Sequence, residues 1–208
     1  MIVDLFYNYD AELFNRCYDK LLQSTFTISD ELEPKENIEF RLVQKPDTPQ
    51  PETHFIINRT GMFLSGVLVL EIYRKSNVGL ITYLATNSRA RKRGIAKGLI
   101  SYIEINFDCD FFLAEVHNPH LIENDIMNPF ERVRVFNNLG FFTHPMKYIQ
   151  PALSPDKKKV ETLSLLCLPV KQPTNKQLVL FLEEFYCALG IDNPQQHPDF
   201  KTMIASIL

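Results

Sequence analysis

The stretch Arg89-Ala90-Arg91-Lys92-Arg93-Gly94-Ile95-Ala96-Lys97 holds five of the chain's 22 Lys and Arg residues and no acid. Outside it, 17 bases face 25 acids, so positive charge is focused on one short segment of an acidic chain. The segment lies between a strand-like run ending at Thr86 and helical spacing that starts near Gly94. A helix start presents free N–H groups and a partial positive charge. Small residues such as Gly94 and Ala96 let an anion come close to that backbone. The chemistry this pattern suits is the cradling of a phosphate or pyrophosphate. The plainer alternative is a solvated basic turn or a localisation-like patch. A P-loop is excluded, because GxxxxGK followed by Ser or Thr is absent. GxGxxG is absent too, which excludes the dinucleotide fingerprint.

A second set of residues can exchange protons. Glu115 stands in the apolar run Phe111-Phe112-Leu113-Ala114-Glu115-Val116. Loss of solvation there raises a carboxylate's pKa toward the range of a general base. The bland alternative is a strand-end Glu that faces solvent or pairs with an Arg. Glu71 interrupts Val67 to Tyr73, and His117 shares a strand face with Glu115 by period two. Tyr148 carries a hydroxyl in Tyr148-Ile149-Gln150-Pro151. Each of these is more often structural than catalytic. Arg132 and Arg134 read as surface bases, Arg134 pairing with the Glu123/Asp125 loop. Phe111, Phe112, Phe141 and Phe142 read as core.

The positioning elements follow from periodicity. Asp10 reads as an N-cap before Leu13, Phe14, Cys17, Leu21 and Leu22 at helical spacing. Ser29 to Asn37 reads as a loop, Ile38 to Val43 alternates like a strand, and Lys45 to Glu52 is a Pro-rich connector. His54 to Asn58, Gly66 to Tyr73 and Val78 to Thr86 read as strands, the last two forming a hairpin. A helix starts near Gly94, and Phe111 to Val116 is a strand. Asn128-Pro129-Phe130-Glu131 then opens a helix that ends at Gly140. Phe142 to Ile149 and Glu161 to Leu168 read as strands. A helix spans Thr174 to Leu189, and a short one lies within Asp199 to Leu208.

Tyr83-Leu84-Ala85-Thr86-Asn87-Ser88-Arg89-Ala90-Arg91-Lys92-Arg93-Gly94-Ile95-Ala96 resembles the acyl-CoA binding motif of the GNAT N-acetyltransferase superfamily. The motif core, Arg/Gln-x-x-Gly-x-Gly/Ala, is met by Arg91, Gly94 and Ala96. Val133-Arg134-Val135-Phe136-Asn137-Asn138-Leu139-Gly140-Phe141 is similar to the family's second segment, a helix ending in Leu-Gly-Phe. The resemblance covers Gly66 to Phe141. It implies that backbone groups of Leu84, Ala85 and Thr86 pair with the pantetheine arm of acetyl-CoA like an added strand. It implies that amides of Lys92, Arg93, Gly94, Ile95, Ala96 and Lys97 hold the pyrophosphate. Asn128 stands near a position where the family often has an Asn touching the cofactor, and Phe136 lines the thiol end. Many members have a Tyr at that point that protonates the leaving thiolate. Phe136 has no such proton, so the role is vacant or filled from elsewhere, with Tyr148 as a candidate acid. The resemblance also places Glu115 beside the cleft where the family's sheet splays, which makes it the first choice of base.

The remaining expectations come from composition. The chain has 208 residues, 45% of them hydrophobic, which is enough for one core and excludes wholesale disorder. A net charge of -3 argues against a nucleic-acid binder. Cys17, Cys109, Cys167 and Cys187 form no CxxC pair and read as reduced thiols. No metal, no membrane span and no signal peptide is expected, so the protein reads as cytoplasmic. The expected fold is mixed α/β (α+β): a GNAT-like twisted, mostly antiparallel central sheet flanked by helices. Residues 1–170 form the acyltransferase domain, and 171–208 a C-terminal helical extension packed on it. The expected activity is transfer of acetyl from acetyl-CoA to a small-molecule or peptide primary amine, by direct attack in a ternary complex, in a monomer or homodimer. The alternatives are a non-catalytic CoA-binding regulator and an interaction module using the Pro-rich connectors.

Overall fold

The computed structural model describes residues 1–122 and 128–207. Strand β1 (Ile2–Asp4) precedes α1 (Ala11–Cys17), which Asp10 caps by accepting from the Leu13 N–H at 3.0 Å. A π turn over Tyr18–Leu22 and the short α2 (Gln23–Thr25) continue α1. Then come α3 (Lys35–Gln44), β2 (Glu52–Thr60), β3 (Phe63–Tyr73), β4 (Val78–Thr86), α4 (Ile95–Asn106) and β5 (Phe111–His117). The chain ends with α5 (Pro129–Asn138), β6 (Phe142–Thr143), β7 (Leu163–Pro169), α6 (Asn175–Ala188) and α7 (Pro198–Ala205).

One seven-stranded sheet has the order β1-β2-β3-β4-β5-β7-β6. Neighbours are antiparallel except β4 and β5, which α4 joins as a parallel pair. Helices α4 and α5 cover one face, burying Leu99, Ile100, Ile103 and Phe136 against Leu68, Leu70, Ile81 and Phe112. The opposite face carries α1 and α3 toward β2 and β3, and α6 and α7 toward β5 and β7. From α6, Leu178, Phe181, Leu182, Phe185 and Tyr186 are buried there, so the chain beyond residue 171 packs on the same sheet. Gly66 permits the close approach of α4, since a Cβ on it would stand 2.7 Å from Ile95 Cγ2 and 3.0 Å from the Ala85 carbonyl.

Two sequence expectations are corrected. Ile38 to Val43 is not a strand but part of α3, capped at its end by Lys45 in the left-handed region. The window alternates, yet the buried residues are Ile38, Arg41 and Leu42, at helical spacing, while Phe40 and Val43 are exposed. The strand expected over Phe142 to Ile149 is only Phe142–Thr143, because Pro145 lacks an N–H and ends the pairing. Phe142 therefore sits at the sheet edge and is exposed rather than core; Phe111, Phe112 and Phe141 are buried. The four thiols are free, and Cys17, Cys109 and Cys167 are buried. Burial pushes the Cys109 thiol up to about 11, which keeps it from acting as a thiolate nucleophile at neutral pH. Among the described residues, no helix is long and apolar enough to cross a membrane.

Candidate active site

The site begins where β4 and β5 part. Their pairing runs only from Val78/Phe111 to Ile81/Ala114. Beyond that, β5 pairs with β7 alone and β4 with β3 alone, so Leu84, Ala85 and Thr86 keep one strand edge unpaired. A bulge occurs at the same level: Val69 faces Tyr83, Leu70 faces Ile81, and Thr82 has no partner residue. An extra residue reverses side-chain parity. Leu80 packs on the α6 side before the bulge, and Tyr83 and Ala85 return to the same side of the sheet after it.

The basic segment forms the mouth of this cleft. Gly94 caps α4 in the left-handed region (φ 75°), with no side chain accepting from the first turn. The first intrahelical bond of that turn is Gly98 N–H to the Gly94 carbonyl at 2.9 Å, which leaves the amides of Ile95, Ala96 and Lys97 without helical acceptors. Lys92 is also left-handed (φ 62°), and a Cβ on Gly94 would meet nothing within 4 Å. Arg89, Arg91, Lys92, Arg93 and Lys97 are exposed around this open turn. Unbonded amides, an uncapped helix and space above the glycine fit a pyrophosphate, with the free edge at Leu84–Thr86 fitting a pantetheine arm. Asn128 caps α5, its Oδ1 accepting from the Phe130 and Glu131 N–H groups. Phe136 is buried edge-on against Phe141, ring centroids 5.1 Å apart.

On the opposite face of the sheet the structure brings Glu71, Glu115 and Tyr148 together. Glu71 on β3 and Glu115 on β5 line one cavity of about 30 Å³ with Glu33, Arg41, Tyr73, Thr82, Tyr83 and Gln150. The Tyr148 hydroxyl donates to Glu115 Oε1. Glu115 is half-buried and lines the cavity. Desolvation raises its pKa to about 7, although hydrogen bonds from Tyr148 and Gln150 pull it down. Burial also raises Glu71, against the pull of Arg41. Tyr148 and Tyr73 are pushed well above the usual phenol value, first by burial and then by the neighbouring carboxylates.

Sequence reasoning missed the frame that holds these groups. Arg41 forks onto Glu33 at 2.7 and 2.6 Å, reaches Glu71 at 2.8 Å and donates to Thr53 at 2.9 Å. Burial lowers the Arg41 pKa, but Glu71 and Glu33 more than reverse this, so the guanidinium stays charged. Tyr73 donates to Glu71 at 2.9 Å, and the Glu33 N–H donates to the Tyr83 hydroxyl at 2.8 Å. The only sequence hint was Arg41 on the same helical face as Ile38 and Leu42. His117 lies outside the cavity lining, with Nε2 2.5 Å from Glu31 Oε1 and Nδ1 3.4 Å from Arg132. Arg134 stands 3.6 Å from Glu131, and the Glu123/Asp125 loop expected beside it lies outside the described residues. Among the described residues, no group of three or more His, Cys, Asp or Glu is placed to hold a metal ion.

No family model and no curated protein matches this sequence. Solved structures do match. A GNAT-family acetyltransferase from Bacteroides thetaiotaomicron superposes with a TM-score of 0.68 over 86% of this chain and 93% of its own, at 14% identity. One from Elizabethkingia anophelis, determined with acetyl-CoA bound, gives 0.52 over 82% and 97%, also at 14% identity. The ribosomal-protein-S18-alanine N-acetyltransferase of Escherichia coli gives 0.51 over 84% and 97%, at 10% identity. The splayed β4/β5 pair, the open α4 start and these superpositions together show that the chain has the GNAT acetyltransferase fold.

Proposed function

We propose that the protein transfers an acetyl group from acetyl-CoA to a primary amine. One observation supports this: where β4 and β5 part, an open, uncapped helix start among basic residues lies on one face of the sheet and the desolvated Glu115 on the other. Leu84–Thr86 and the amides of residues 92–97 hold the co-substrate, which when bound supplies an activated acetyl thioester. Arg91, Lys92 and Arg93 add charge around the pyrophosphate. Glu115, ionised above a pH of about 7, accepts a proton from the incoming ammonium and makes its nitrogen a nucleophile. Tyr148, bonded to Glu115, is the hydroxyl we assign to returning a proton to the leaving sulfur, because Phe136 has none to give. Glu71, tied to Arg41 and Tyr73, sets the cavity's charge. Direct attack within a ternary complex needs no covalent enzyme intermediate.

The buried Phe136 also favours a second reading, a CoA-binding protein without catalysis. Thiol release from acetyl-CoA across an amine panel separates the two. Saturable, amine-dependent release supports transfer. Tight CoA binding with no release for any amine supports the second reading.

A further inference from the structure

The small cavity is the inner end of a larger groove. About 720 Å³ of open volume lies between α3, residues 151–155 and the end of α6, and it shares Glu33, Arg41, Gln50, Leu153, Ala188 and Leu189 with the cavity wall. The two ends differ in chemistry. The inner end gathers Glu33, Glu71 and Glu115; Arg41 pairs with Glu33 and Glu71, so that among the described residues Glu115 is the one of the three without a cation. A carboxylate that lines the cavity without a cation of its own asks for a cationic N–H donor.

Size narrows the choice further. One water needs roughly 10–15 Å³ of such volume. A space of about 30 Å³ thus takes an ammonium and the methylene that carries it. The branched α-carbon and carbonyl of a peptide N-terminus exceed it. The outer groove is lined by Phe40, Pro151, Leu153, Pro155, Leu189 and Ile191. Its acids are already engaged: Asp199 with Lys159 at 2.9 Å and Glu33 with Arg41. Among the described residues lining it, no unpaired carboxylate waits for a second ammonium, so a polyamine gains nothing from its length.

We infer that the acceptor is a small primary amine on an unbranched methylene, attached to an apolar body that lies along Phe40, Leu153 and Ile191. This inference rests on the acetyl-transfer reading for its chemistry, but not for its test. Calorimetry of phenethylamine, spermidine and an Ala-terminated peptide, each added to the CoA-loaded protein at pH 8, reads the groove directly. Thiol release with the same three compounds reads the transfer reaction separately. Phenethylamine is expected to bind at least tenfold more tightly than either competitor. Leu153→Asp, which puts a charge on the apolar wall, is expected to erase that preference and leave CoA affinity unchanged. Glu115→Gln is expected to weaken phenethylamine about tenfold at pH 8 by removing the carboxylate that meets the ammonium. Equal or tighter binding of spermidine or the peptide, or no phenethylamine heat at all, overturns the inference whatever the thiol assay shows. Binding of phenethylamine without thiol release sustains the inference and overturns the transfer reading.

Discussion

Replacing Glu115 by Gln keeps its shape and removes its charge, so two independent readouts report on the same carboxyl. The first is stability. In the unfolded chain the carboxyl titrates near 4.5, and in the fold near 7. Between those values the folded state holds a proton that the unfolded state has released. The stability this confers is therefore fully present below pH 4.5 and is lost as pH rises through 7. Each tenfold in proton affinity is worth about 1.4 kcal/mol, so the loss reaches roughly 3 kcal/mol at most, less whatever solvation the cavity supplies. Urea melts of both proteins should show Glu115→Gln gaining on the parent by up to that amount between pH 5 and pH 8. Groups common to both proteins cancel in the comparison. The second readout is rate. Parent kcat/KM should fall about fivefold between pH 7 and pH 6, following the ionised fraction of a group near 7, and the variant should lose roughly 10²-fold at its plateau together with this acid limb. Two results would refute the reasoning: a stability difference that does not change with pH, and an acid limb that survives in the variant.

Three further outcomes are expected. Tyr148→Phe removes a hydrogen bond that lowers the Glu115 pKa, so the acid limb of kcat/KM should move above pH 7 and kcat should drop; a limb that stays or moves down contradicts the dyad. Arg41→Met leaves Glu33 and Glu71 buried without their cation and should cost about 3–5 kcal/mol in urea melts, whereas a loss under 1 kcal/mol would show that water reaches both carboxylates. Gly94→Val forces a β-branched residue to φ 75° and fills the space above the α4 start, so a folded variant should show no calorimetric acetyl-CoA binding.

What the sequence made legible was local. Strand β4 runs from Val78 to Thr86 as read, because β-branched and apolar residues lie between a turn at Lys75–Asn77 and the polar Asn87. The α5 start was legible because Asn128, Pro129 and Glu131 each satisfy a terminal requirement of their own. Segment α3 was not legible: six residues fit period two and period 3.6 equally well, and the tie is broken only by burial of Arg41. Glu33 and Arg41 lie on either side of the helix start at Lys35, and nothing local announces that one will fork onto the other. The Thr82 bulge has no residue signature either, since neither Gly nor Pro marks it. Glu115 and Tyr148 were legible one by one as chemistry-bearing residues. Their contact depends on Tyr148 approaching from the segment after β6, most of which the sequence suggested was strand.

The arrangement of partners explains why Glu115, and not Glu71, is the group suited to move a proton. Burying carboxylates is costly unless cations or donors accompany them. Arg41 supplies a full charge to Glu33 and Glu71, and Tyr73 adds a donor to Glu71. Protonating Glu71 forfeits an ion pair inside the core, a cost that opposes the upward push of burial on its pKa. The partners of Glu115 are neutral: a phenol from Tyr148 and an amide from Gln150. Gaining a proton there breaks no ion pair, and losing it is eased by two donors already in place. The balance between the two forms of Glu115 then falls near neutrality, where a base that must both take and release a proton works fastest. Arg41 thus does its part by standing on the Glu71 side of the cavity. Were it to reach Glu115 instead, the carboxylate would be locked in its charged form and its basicity lost.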